Sequence, residues 1–212
     1  YVGINLVGRE DDKNGQPKRF ASILRKLRAT YPKVSLAFHA GESETADSNV
    51  RDTLLLGAER IGHGLNTIFD PDTLLLMRNS QYLIEINLIS NLLLEYIPSY
   101  DTHPFPEYLR TGIPTALSTD DRGMFDSTLT DEFYVAVTEF NLSWEEVLTL
   151  STNSLQYSFL QPNVKAQQLT LFHQRVAEFE TQVASDTVPT SPPMFRAFIC
   201  KFESELCSGN KD

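Results

Sequence analysis

Between residues 1 and 118 a short apolar run rises out of polar sequence five times: residues 1–8, 34–38, 59–64, 82–88 and 113–118. Runs of this length, bounded by turn residues, read as buried strands. Helical spacing follows most of them. Phe20, Ile23, Leu24 and Leu27 repeat across residues 17–31; residues 49–56, Leu74 to Met77 behind the Asp70-Pro71 start, and 106–110 before Gly112 are the others. Repeated strand, loop and helix leaves few folds, because right-handed crossovers make the strands parallel, in an open doubly wound sheet or a closed barrel. Polar residues at several strand ends favour the barrel. Past the last strand, residues 130–140, 143–159 and 163–183 are helical by pattern, with Ser143 and Glu146 spaced as a capping box.

The chemistry gathers where the strands end. His39 closes the second run, and Glu42, past the permissive Gly41, can swing back over the same pocket. His63 closes the third run between Gly62 and Gly64, which take away the side chains a packed histidine would lean on. Asp120 and Asp121 follow the fifth; a helix cap would explain one of them, but adjacent acids repel unless a metal or a donor compensates. Imidazole and carboxylate suit zinc, so His39 and Asp120 are candidate ligands. A hydrolytic site also needs proton transfers, roles that fit His63 and Glu42, and leaves Asp121 to hold substrate. Other polar residues read as structural. His103 before Pro104 marks a helix entry, His173 lies on a solvated face, Ser90 and Asn91 shape a polar turn, and Glu10, Asp11 and Asp12 form a solvated acidic loop.

Composition narrows the partners. The formal net charge of −10 disfavours nucleic acid and anionic membrane surfaces. No apolar run approaches the roughly 20 residues of a spanning helix. Cys200 and Cys207 both lie in the tail, and seven helical residues put them about 10 Å apart along the axis, so they read as unpaired. Two units are expected: residues 1–184, and residues 185–212 as a proline- and threonine-rich linker with an amphipathic helix carrying Phe195, Phe198, Ile199, Phe202 and Leu206.

The stretches HAGE at 39–42, RIGHG at 60–64 and STDD at 118–121 together resemble the adenosine deaminase family of metal-dependent hydrolases. The likeness runs through Val183 and takes in residues 3–8, Ile89-Ser90-Asn91, His103-Pro104, Asn153-Ser154 and Tyr157-Ser158, the last of these most similar to the adenosine deaminase-related growth factor branch and bacterial relatives. The resemblance implies an α/β fold, a TIM (β/α)8 barrel of which this chain carries about the last five strands. It implies one zinc ion on His39 and Asp120, with Glu42 protonating the purine ring and His63 orienting and deprotonating the attacking water. Asp121 and the Gly8 backbone would contact the purine. The implied reaction is hydrolytic removal of the 6-amino group of adenosine or a related aminopurine, with zinc-bound hydroxide as nucleophile and ammonia leaving.

One departure matters. The family's first strand supplies a His-x-His pair of zinc ligands, and this sequence has none. The expectation is therefore a carboxyl-terminal portion of a longer enzyme, partnered by the missing amino-terminal barrel half or by another chain supplying it, with localisation left open. The alternative is an inactive half-barrel or binding module that tolerates changes at its four chemical positions. Arg122 stands where many relatives carry proline, and the first strand, residues 2–7, is expected to expose an unpaired edge that drives association.

Overall fold

A computed structural model describes residues 2–188. The five apolar runs become β1 (Gly3–Leu6), β2 (Ser35–Ala40), β3 (Arg60–His63), β4 (Leu83–Ile86) and β5 (Thr115–Leu117). They form one parallel sheet in which each strand pairs with the next in the chain. That order is the wall of a barrel; a doubly wound sheet reverses its strand order at a switch point. The helices are α1 (Ala21–Thr30), α2 (Asn49–Leu55), α3 (Pro71–Arg78), α4 (Leu88–Leu93), α5 (Phe105–Arg110), α6 (Arg122–Phe125), α7 (Leu129–Phe140), α8 (Trp144–Gln156) and α9 (Pro162–Ala184). Leu36, Phe38, Ile61, Ile84 and Ile86 are buried, with helices such as α2 and α8 packed on the sheet.

Local chemistry sets the helix starts. Asp70 accepts from the Thr73 backbone at 3.2 Å and from the Thr73 hydroxyl at 2.8 Å, while Pro71 takes the first position of α3. Ser143 and Glu146 close the expected capping box on α8, and Thr128 with Asp131 closes another on α7. The helix expected over residues 17–31 is a 3₁₀ turn, Pro17–Phe20, followed by α1.

Two expectations are corrected. Ser90 and Asn91 do not shape a polar turn; they lie buried inside α4, whose first backbone donor, the Leu88 N–H, is accepted by Glu132 of α7 at 3.0 Å. Glu10 is not solvated. Its carboxylate is buried under the turn after β2, while Asp11 and Asp12 remain exposed. The tail helix expected beyond residue 188, with Cys200 and Cys207, lies outside the described residues.

The sheet has two edges. Along β5, the Asn153 side chain of α8 donates to the Thr115 carbonyl at 2.9 Å. Along β1 no strand pairs on the outer side among the described residues, and beside it runs a 760 Å³ groove lined by Val2, Ile4, Leu27, Tyr31 and Val34.

Candidate active site

Strand register brings the motifs together. In the β2–β3 pairing, His39 lies opposite Gly62 and Ala40 opposite His63. A Cβ on Gly62 would sit 3.1 Å from His39 Cγ, so the glycine lets the His39 ring lie against β3. His63, the last residue of β3, and Asp120, three residues past β5, both lie in the left-handed region, with φ of 64° and 49°. Non-glycine residues hold that conformation at a cost, which concentrates at functional sites. The two imidazole rings are 5.1 Å apart between centroids. One donor atom from each of His39, His63 and Asp120 lies within 4.8 Å of the other two. Glu42 joins them, its Oε1 3.3 Å from His63 Nδ1, while His63 Nε2 is 3.9 Å from Asp120 Oδ2.

A second layer aims these groups. Asn5 Oδ1 of β1 sits 3.2 Å from His39 Nδ1, and an amide oxygen there takes the ring N–H and leaves Nε2 free for a cation. The Ser90 hydroxyl donates to Asp120 Oδ2 at 2.7 Å. Glu10 accepts from the backbone N–H of Gly41 at 2.7 Å and of Glu42 at 3.0 Å, and from the Asn49 amide at 3.1 Å. It thereby pins the turn that carries Glu42. Gly41 makes that turn at φ 82°, where a Cβ would lie 2.8 Å from Val50 Cγ2.

Burial decides the protonation states. It pushes the Glu42 carboxyl up to about 8, reinforced by the charges of Asp120, Glu10 and Asp121. It pulls His63, 1% exposed, down to about 3, with His39 adding to the effect. At neutral pH the site therefore holds a protonated acid beside a neutral imidazole. The donor set, two imidazoles and a carboxylate with polar partners behind two of them, fits a cation that takes nitrogen and oxygen ligands. Gly8 and Asp121 share no hydrogen bond or ion pair with this cluster among the described residues, although the Asp121 charge acts on Glu42. Gly8 is on the exposed loop after β1, and Asp121 is exposed at the start of α6.

The adenosine deaminase family model matches residues 1–175. The chain belongs to the adenosine deaminase family. It is 34% identical over 164 residues to the adenosine deaminase of Enterococcus faecalis, covering 77% of this chain and 47% of that protein. It is 31% identical over 169 residues to the N6-methyl-AMP deaminase of Bos taurus, covering 78% and 47%. Among solved structures, the adenine deaminase of Arthrobacter aurescens superposes with a TM-score of 0.74 at 28% identity, covering 83% of this chain and 53% of that one. The chain thus spans about half the length of these relatives, and the sheet described above is consistent with part of a TIM (β/α)8 barrel.

Several residues around the site receive no role there from the sequence, although Asn5 and Asn91 fall within stretches of the family likeness. Asn5, Asn87 and Asn91 each interrupt an apolar run, and a lone amide in such a run is the signal that marks them. Glu10 carries no such signal, since it is the same kind of residue as its solvated neighbours.

Proposed function

We propose that His39, Glu42, His63 and Asp120 form the working part of a zinc-dependent hydrolase that deaminates adenosine or a related 6-aminopurine. The observation that carries this reading is the convergence of a protonated carboxyl, a neutral buried imidazole and a three-donor cation cluster at neighbouring strand ends. The names of the relatives, which deaminate adenosine, N6-methyl-AMP and adenine, support a purine as substrate.

His39 and Asp120 would hold the metal. When bound, zinc supplies Lewis acidity that makes a water available as a nucleophile near neutral pH. Glu42, protonated below about 8, donates to the purine ring nitrogen and so makes C6 electrophilic. His63 and Asp120 flank the attacking water: His63 orients it and the Asp120 carboxylate takes its proton. The C6–O bond forms, the proton taken from the water passes to the amino nitrogen, and the C6–N bond breaks with ammonia leaving, while the C6 hydroxyl proton returns to Glu42. Asp121 accepts from the imidazole edge of the purine and the Gly8 backbone lies against the ring. The remaining strands and their metal ligands come from an amino-terminal barrel half or another chain, seated on the open edge of β1 and its apolar groove.

Zinc content, intact mass and ammonia release from adenosine, N6-methyl-AMP and adenine test this together. Near-stoichiometric zinc that His39→Ala removes, with release from at least one of the three, is the expected result. A chain of this mass that holds no zinc and stays inactive when the rest of the barrel is supplied overturns it.

A further inference from the structure

We infer that Asn91 and His103 are positioning residues that fix the ring tautomer of His63, so that its Nδ1 accepts and its Nε2 carries the proton on the side of Asp120.

The Phe105 backbone N–H, at the start of α5, points at His103 Nδ1 at 3.0 Å. A backbone N–H only donates, so His103 Nδ1 is bare. His103 is 3% exposed and burial pulls its pKa to about 3, so the ring is neutral and its single proton sits on Nε2. That proton faces Asn91 Oδ1 at 3.1 Å. The orientation of the Asn91 amide follows: turned over, it would set two donors against each other in a dry pocket, since Asn91 is fully buried. With its oxygen on His103, Asn91 must present Nδ2 to His63 Nδ1, at 3.2 Å. A donor there makes His63 Nδ1 the acceptor, and the one proton of the neutral ring is left on Nε2.

The other groups around the ring leave this choice standing. Asn87 Nδ2 lies 3.2 Å from Nδ1 and 3.3 Å from Nε2, so it favours neither nitrogen. Glu42 Oε1, 3.3 Å from Nδ1, makes no hydrogen bond. Asp120 Oδ2 at 3.9 Å is an acceptor on the Nε2 side, which agrees with a proton there. The relay is held rigidly. The His103 ring packs edge-on against Phe105 and Phe140, each at 6.4 Å between centroids, and Asn91 sits inside α4.

The consequence is that His63 meets the metal side of the site as a hydrogen-bond donor, set from α4 and the entry to α5. That His63 serves deamination rests on the function proposed above; the tautomer does not.

The chain has four histidines, so nitrogen NMR on histidine-labelled full chain, without metal or substrate, resolves each ring. In the native protein both His63 and His103 are expected to show a protonated Nε2 and a bare Nδ1. In Asn91→Asp, where the side chain accepts from both neighbours, the His63 proton is expected to move to Nδ1 while His103 keeps its pattern. His103→Phe, which retains the packing on Phe105 and Phe140, is expected to release the Asn91 amide and mix the two His63 patterns. A native His63 protonated on Nδ1 or on both nitrogens overturns the inference, as does a His63 pattern that Asn91→Asp leaves unchanged. The spectrum needs no turnover, so an inactive protein with the expected pattern separates this relay from the proposed reaction.

Discussion

A carboxyl group stays protonated at neutral pH when it is buried among other acids, and Glu42 is in that position with Asp120, Glu10 and Asp121 near it. Its value as an acid depends on that proton. Deamination should therefore fall as pH rises through about 8, where the folded-state carboxyl ionises. Glu42→Gln cannot donate as an acid and should lower kcat about 10²- to 10⁴-fold, with a residual rate that lacks the alkaline fall. A pH profile of both proteins checks the sign and the assignment together. Glu42 was legible in the sequence as a candidate because HAGE places it three residues past a strand-end histidine. Glu10 was not. It stands in a run with Asp11 and Asp12, and only the path of the loop turns its carboxylate inward onto the Gly41 and Glu42 amides.

At the scale of the elements, apolar patterning placed all five strands and most of the helices, because the buried positions of β2 to β5 are largely apolar. β1 reads as a buried strand too, yet has no fully buried residue. The cap on α8 was equally local, since Ser143 and Glu146 answer each other across one turn, at 3.2 Å and 2.8 Å. Ser143→Ala should cost about 0.5–2 kcal/mol of stability, read as a lower urea midpoint with an unchanged slope. α4 behaves differently. It is six residues long, too short for periodicity to separate it from the end of β4, and its first N–H is satisfied by Glu132, 44 residues further along the chain. No local pattern could announce that helix. The same helix then supplies Ser90 to Asp120 and Asn91 to His63, so an element that sequence leaves unmarked orients two of the site's residues.

On the scale of the whole molecule, the two sheet edges differ. β5 is covered by α8, whose Asn153 satisfies the Thr115 carbonyl. β1 presents its outer edge and the apolar groove of Val2, Ile4, Leu27, Tyr31 and Val34. Such an edge pairs with whatever strand is available. Sedimentation of the isolated chain should show self-association that rises with concentration. Ile4→Lys should weaken it about tenfold or more, since burying an isoleucine is worth ~1.5–3 kcal/mol and a buried ammonium opposes pairing. A chain that remains monomeric at all concentrations contradicts this. α9 packs on α8 through Trp144 and Phe179, 5.6 Å between centroids, with the Trp144 indole donating to Glu180 at 2.7 Å.

By itself the sequence determined the parallel run of the strands, the family, and the arrival of His39, His63 and Asp120 at or just past strand ends, while the order of the strands in the sheet came from the structure. The strands follow from short-range patterns of apolar, glycine and turn residues, and the family from three short motifs in order, HAGE, RIGHG and STDD. Tertiary structure decided the protonation of Glu42, the burial of Glu10 and the relay from His103 through Asn91 to His63. Those depend on desolvation and on donors brought in from distant segments, and both exist only once the strands are laid side by side.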